Sequence, residues 1–311
     1  MTGYIIRRLL LAVPVLLGVS ILVFAIIRFI PGDPARAIAG VHATPQYIEQ
    51  VRKELLLDKG LHIQYFVYVS NLLRGDLGRS AFTRRPVITE LRERFPNTVL
   101  LALTSMAIAT VLGMGAGIVS ASKRNSVFDN VSMVASLVGV AAPVFWLGVM
   151  LQLLFSVRLG WLPSGGMGGI ETFVLPATTL GLATAALIAR ITRSSMLEVL
   201  RQDFITTARA KGLSERVVIL KHALKSAFIP VITVMGLQFG GLLGGAVLTE
   251  TVFSWPGIGR LMVDSILTRD YPVVQGTVLL LAVMFVLINI AVDIAYAFLD
   301  PRISFATGEG E

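Results

Sequence analysis

The sequence predicts an all-α integral membrane protein with six transmembrane helices and a helical extracytoplasmic segment between the first two. Of its 311 residues, 55% are hydrophobic and 15% charged, with a mean hydropathy of +0.77, against roughly 25% charged in an ordinary soluble domain. The apolar residues also gather in six runs of about 20, the number a helix rising about 1.5 Å per residue needs to cross a ~30 Å hydrocarbon core.

The runs are Leu9–Ile27, Thr98–Ser120, Val131–Val157, Phe173–Ala189, Ala227–Thr249 and Thr277–Leu299. The first follows Arg7 and Arg8, as a cleaved leader would. It is longer than the roughly 7–15 apolar residues of a leader, which favours a retained helix. The chain divides into a cytosolic end with the first span (1–30), an extracytoplasmic segment (31–97), a core of five spans (98–299) and a short cytosolic tail (300–311). The core carries a cytoplasmic loop at 190–226.

In the extracytoplasmic segment, Thr44 is placed to cap a helix that starts at Pro45 and sets Ile48, Val51 and Leu55 on one face before Gly60. A second helix is expected from His62 to Leu73, ending at Gly75, and Pro86 opens a third that leads to the second span. Such short amphipathic helices have no core of their own. They must pack on the membrane surface, on the tops of the spans or on a partner.

Lys and Arg set the orientation. Arg7 and Arg8, then Lys123 and Arg124, then eight basic residues from Arg190 to Lys225, then Arg302 all fall on one side of a six-span chain, which is the cytosolic side. Both termini are therefore expected in the cytosol. The net charge of +8 follows from this bias and calls for no nucleic acid. There are no cysteines, which excludes disulfides and thiolate metal sites. His42, His62 and His222 are not at metal-ligand spacing, so no metal site is expected.

Pro14, Pro143 and Pro176 interrupt spans, and the fifth span holds Gly236, Gly240, Gly241, Gly244 and Gly245. Small residues four apart suit close helix packing, or a helix that bends beside a pathway. Gln238 and Asn289 fall near the midpoints of their spans, where they either bond a neighbouring helix or face a solute path. Gln238, Gly240, Gly241, Gly244 and Asn289 are thus candidate pathway residues. Asp293 lies nearer the cytosolic end, where pairing with a loop Lys or Arg is favoured over a proton relay. Between the last two spans, "RLMVDSIL" reads as a short helix after the Pro256-Gly257 turn. A loop this apolar should pack over the mouth of the bundle, which makes Phe253, Trp255, Pro256, Gly257 and Arg260 a candidate gate segment.

No Lys follows a Gly, so the GxxxxGK[ST] phosphate loop is absent, as are HExxH and GxSxG. A transporter built from this chain draws its energy from an ion gradient or from a separate ATPase. The segment "DFITTARAKGLSERVVILKHALKSAFIP" bears on that choice. Asp203 is placed to cap a short helix, "FITTARAK", which Gly212 ends in a left-handed cap. A second helix starts near Ser214 with Glu215 in its first turn and carries Val217, Leu220, Leu224 and Phe228 on one stripe, with Lys221 and Lys225 off it. Such a pair lies on anionic lipid, or offers its small-residued first helix to a protein cleft.

This segment resembles the coupling loop of ABC importer permeases, the EAA loop, in the form found in the dipeptide, oligopeptide and nickel family. Thr206, Thr207, Ala208 and Gly212 stand at its E, A, A and G positions; Thr206 replaces the Glu, and His222 and Lys225 stand where many members carry Ile and Pro. "RRLLLAVPVLLGVSILVFAIIRFIPGDP", "GDLGRS", "ETVFSWPGIGRL", "RDYPVVQG" and "DPRI" extend the resemblance over nearly the whole chain, to the first permease of the pair. The resemblance implies a type I ABC importer permease fold in the cytoplasmic membrane of a prokaryote. It also implies a heterodimer with a second homologous permease, two ATP-binding subunits that hold ATP and Mg, an extracytoplasmic solute-binding protein, and no cofactor or catalysis of this chain's own. Asp203, Phe204, Ile205, Thr206, Thr207, Ala208, Arg209, Ala210, Lys211, Gly212 and Leu213 would enter the ATPase cleft. The implied activity is import of dipeptides or oligopeptides by alternating access. Nickel, glutathione or another small solute is the alternative cargo, and an ion-coupled secondary transporter the alternative class.

Overall fold

The computed structural model describes residues 2–29, 34–39, 43–54 and 56–299. Leu55, His42, most of the PGDP turn and the tail with Arg302 lie outside the described residues, as does the side chain of Asp293. Among the described residues the chain is helical, with one isolated bridge between Arg79 and Pro86 and no strand. This is the architecture hydrocarbon imposes, since a helix satisfies its backbone polar groups within one segment.

The first span is α1 (Thr2–Phe29), which runs through Pro14. Outside the membrane follow α2 (Pro34–Ala39), α3 (Pro45–Glu54) and α4 (Leu61–Leu73). Thr44 caps α3 as expected, accepting from the Tyr47 N–H at 3.3 Å and the Ile48 N–H at 3.0 Å. α4 rests on the top of α1: the Tyr65 and Ser20 hydroxyls bond at 2.8 Å, and the Phe24 and Tyr65 rings meet edge to face at 5.2 Å. Of the three supports open to these helices, α4 uses the spans.

The helix that Pro86 opens does not end before the second span. α5 (Val87–Ser122) is a single helix of 36 residues that passes through Pro96. The expected boundary at residue 97 therefore falls inside a continuous rod that joins the outer segment to the core. α5 pairs most extensively with α8 (Ile170–Val199), the most enclosed of the spans. Small residues allow this. A Cβ added at Gly117 would come within 2.6 Å of both the Ala189 carbonyl and Thr192, and one at Gly113 within 2.7 Å of the Ala185 carbonyl. The GxxxG spacing that brings two backbones together is thus in α5. Among the described glycines of the fifth span, Gly236 is the tightly packed one, against Val292 of the last helix.

The third span is not one straight helix. α6 (Val127–Ala141) and α7 (Val144–Leu151, continued by a π-helical turn Gln152–Arg158) meet at 107°. Pro143 is the cause: it lacks an N–H and pushes Ala142 into extended backbone, with φ −72° and ψ 132°. The pair nevertheless forms one bent crossing. Asp129 at the start of α6 is buried and bonds Arg193 near the C-terminal end of α8, with Nε–Oδ1 at 2.6 Å and Nη2–Oδ2 at 2.8 Å. At the other end, Gln152 donates to the Val252 carbonyl at 3.1 Å, where the fifth span finishes.

The remaining elements are α9 (Asp203–Ala210), α10 (Glu215–Val217), a π-helical stretch (Val218–Ala223), α11 (Leu224–Val252), α12 (Ile258–Leu267) and α13 (Tyr271–Leu299). As the apolar loop requires, α12 lies across the end of the bundle. Ile258 and Leu261 are buried among Val87, Leu91 and Val273.

Gly117 and Gly115 sit two residues apart on α5, but a Cβ on Gly115 would meet nothing within 4 Å. Gly117→Val is expected to lower stability by about 1–3 kcal/mol through overpacking, and Gly115→Val to leave it unchanged, as read by thermal unfolding of the detergent-purified protein.

Candidate coupling surface, pathway and extracytoplasmic lid

At the end of the bundle that carries the candidate coupling segment, Gln202 is the N-cap of α9 and Asp203 its first helical residue, not the cap the sequence suggests. The Asp203 carboxylate still sits where the helix dipole favours negative charge. Ile205 and Ala208, three apart, are buried among Met196 and Val199 of α8, Val218, Ala223 and Ala227. Every other coupling candidate, namely Asp203, Phe204, Thr206, Thr207, Arg209, Ala210, Lys211, Gly212 and Leu213, is exposed. Two mechanisms hold the turn that follows. Gly212, at φ +78°, lets its own N–H reach the Arg209 carbonyl at 2.9 Å and the Leu213 N–H reach the Ala208 carbonyl at 3.4 Å. Across the turn, Arg209 grips Glu215 with two bonds, Nε–Oε2 at 3.1 Å and Nη2–Oε1 at 2.6 Å.

The stripe expected on the second helix holds only in its second half, where Leu224 packs against the same cluster as Ile205 and Ala208, and Phe228 is half-buried. Val217 and Leu220 are exposed, while Val218, Ala223 and Ala227 are buried. The π-helical stretch explains this: a turn closed five residues back brings Val218 and Ala223 onto one face. Lys221 and Lys225 point outward.

Within the membrane, a cavity of about 330 Å³ opens between the α6/α7 break, α8 and α11. Gln238 and Gly241 line it. The other pathway candidates do not. Gly240 faces α13, where an added Cβ would lie 3.5 Å from Phe285; Gly244 is exposed with nothing near it; and Asn289 donates to the Phe285 carbonyl of its own helix at 2.8 Å. Thr184, Ala142 and Val144 belong to the wall and were not singled out from the sequence. Pro143, noted as interrupting the third span, was the signal that pointed there.

At the opposite end of the bundle, two buried carboxylates organise the candidate gate segment and the turn after α12. Glu250 accepts from the Thr98 hydroxyl at 2.6 Å and from the Arg260 backbone N–H at 3.0 Å, while Thr98 accepts from the Ile258 N–H at 2.9 Å. Asn97 clasps the same turn, donating to the Pro256 carbonyl at 2.9 Å and accepting from the Trp255 indole at 3.1 Å. Phe253 and Trp255 are buried, and the Phe253 carbonyl accepts from the Gly166 N–H at 2.8 Å. Gly257 caps α12, and the Arg260 guanidinium turns back to the Ser254 carbonyl at 2.6 Å. The second carboxylate is Asp270. It accepts from the Ser80 hydroxyl, from the Ala81 N–H at 3.0 Å and from the Phe82 N–H at 3.3 Å. The GDLGRS, ETVFSWPGIGRL and RDYPVVQG stretches thus meet in one assembly. Among the described residues, no three His, Cys, Asp or Glu side chains gather as metal ligands.

Residues 113–305 match the family described as binding-protein-dependent transport system inner membrane component, and residues 1–102 match the N-terminal region of such membrane components. The chain is 50% identical over 305 residues to the glutathione transport system permease protein GsiC of Escherichia coli strain K12, covering 98% of this chain and 100% of that protein. GsiC of Salmonella choleraesuis strain SC-B67 is similar to the same degree. Among solved structures, the inward-facing MetNI methionine ABC transporter shares the fold at TM-score 0.57 and 21% identity, over 68% of this chain and 97% of that one. An amino acid ABC transporter solved with histidines does so at 0.54 and 14%, over 68% and 94%.

Removing the Asp270 carboxylate orphans two backbone donors and a hydroxyl in a buried place, at a cost of about 1–3 kcal/mol for each group. Asp270→Ala is expected to speed tryptic cleavage after Arg84 severalfold in purified protein, with Ser80→Ala intermediate.

Proposed function

This chain belongs to the binding-protein-dependent transport system inner membrane components and is the permease subunit of an ABC importer; from that premise we propose that it imports short peptides by alternating access, driven through α9. The observation that carries the coupling role is the division of α9 into two faces. Ile205 and Ala208 lock it to α8 and α11, and Phe204, Thr206, Thr207 and Leu213 are left for a partner. A helix so fixed transmits force to two spans at once. Closure of two ATP-binding subunits around ATP and Mg would move α9, and with it the Gly212 turn and α11, turning the cavity outward; hydrolysis would reset it.

In this reading the second half of the pathway comes from a second, homologous permease. A solute-binding protein docks on the lid formed by Phe253, Trp255, Pro256, Gly257 and Arg260, and both termini are cytosolic. Gln238 and Gly241 face the solute. Gly240 instead packs towards α13, and Asn289 bonds within its own helix. The relatives named for glutathione, itself a tripeptide, support a peptide-class solute.

Purification of the tagged chain from native membranes is expected to bring down a second permease and two ATPases; recovery as a free, active monomer would refute the assignment. Phe204→Asp should cut ATP-dependent uptake tenfold or more, equivalent to about 1.4 kcal/mol, with membrane insertion intact. Ile205→Asp should instead lower the amount of folded protein, because that side chain is buried in the chain's own core.

A further inference from the structure

The α6/α7 break leaves backbone hydrogen-bonding groups unpaired at the cavity wall. α7 begins at Val144 after Pro143, with no side-chain cap. Its first helical bond runs from the Leu147 N–H to the Pro143 carbonyl at 3.1 Å, so the N–H groups of Val144, Phe145 and Trp146 have no acceptor within the helix. Pro143 has no N–H, so the Gly139 carbonyl four residues back lacks its helical donor. Gly139, Ala142 and Val144 all line the cavity.

Thr184 stands on the same wall, only 4% exposed, and among the described residues nothing bonds its hydroxyl. Thr192 and Thr249, whose hydroxyls also lack a partner, do not line the cavity; several other threonines of the spans are bonded within their own helices. Thr179 on the same helix donates to the Leu175 carbonyl at 2.8 Å, and Thr110 and Thr233 donate to carbonyls four residues back at 2.7 Å and 2.9 Å. The Gln238 amide is the other polar side chain of the wall, and no lining residue is charged. The positive electrostatics here come from the α7 end, whose dipole is equivalent to about half an elementary charge.

We propose that the break is a carboxylate-binding station in the pathway, in which the first-turn amides of α7 and the Thr184 hydroxyl hold the solute's terminal carboxylate and Gln238 meets the adjoining peptide amide. This rests on the reading of the chain as half of a peptide pathway. Helix ends aimed at an anionic group are a means by which a membrane site binds charge without an ionised side chain. A neutral wall binds weakly enough to release its cargo.

The test uses the assembled complex with its binding protein in proteoliposomes and the dipeptide alanyl-phenylalanine. Thr184→Val is expected to lower the maximal ATP-dependent uptake rate about tenfold, as for losing one hydrogen bond to a charged group. The half-saturation concentration, set by the binding protein, should stay unchanged, and Thr184→Ser should restore the rate. In the wild-type complex, alanyl-photoleucine, whose diazirine lies next to its carboxylate, should crosslink to the stretch from Val144 to Leu147. An unaltered rate in Thr184→Val, or crosslinks confined elsewhere, would overturn the station. If the valine variant does not assemble, the serine variant and the crosslink decide. A wild-type complex that takes up neither peptide would instead overturn the peptide reading beneath it.

Discussion

In hydrocarbon each backbone N–H and C=O has to find its partner within the protein, and the rest of this structure follows from that. Helices meet the requirement by themselves, so the spans are helical whatever their side chains. A break is tolerated only where other protein, or a cavity, takes the freed groups. Among the described residues the sharp break between apolar helices, at Ala142–Pro143, is found beside the cavity. The constraint that shapes the fold therefore also marks the place where the chain has polar backbone to offer a solute.

The two ends of the bundle are built for different work. At one end, Glu250 and Asp270 are buried and bonded to hydroxyls and backbone N–H groups rather than to cations, which ties the α11–α12 turn to α5 and the α12–α13 turn to the Ser80 loop. These bonds are short-range and directional, and they stiffen the lid. At the other, α9 is clamped by apolar contact on one face and by the Arg209–Glu215 pair at its turn. The Asp129–Arg193 pair joins α6 to α8 near the same level. A displacement of α9 thus reaches α8 and α11 directly, and both of these line the cavity.

Local signals in the sequence were reliable guides to local structure. Thr44-Pro45, Pro86, the Gly212 turn and the "RLMVDSIL" helix lie where capping and turn chemistry place them, because each depends on neighbours within a few residues. The first half of the stripe on the second coupling helix was misread because a π turn changes the period, and no residue in Val218–Ala223 announces one. Gln238 and Gly241 reached the cavity, but Gly240 did not, since adjacent positions on a helix point about 100° apart.

What the sequence by itself determined is the class: a helical membrane chain with six apolar runs, with the basic residues of its short loops on one side, and a helix pair split at Gly212. Composition, run length and turn residues act locally and survive without knowledge of neighbours. Only the tertiary structure decided that Gly113 and Gly117 seat α5 against the backbone of α8, that Thr98 meets Glu250 and Ser80 meets Asp270, and that Thr184 lines the cavity beside the break. Each of these is a contact between residues far apart in the chain. Such a contact depends on how two rigid helices are rotated and inclined against each other, and that is set by the sum of the packing rather than by any segment of it.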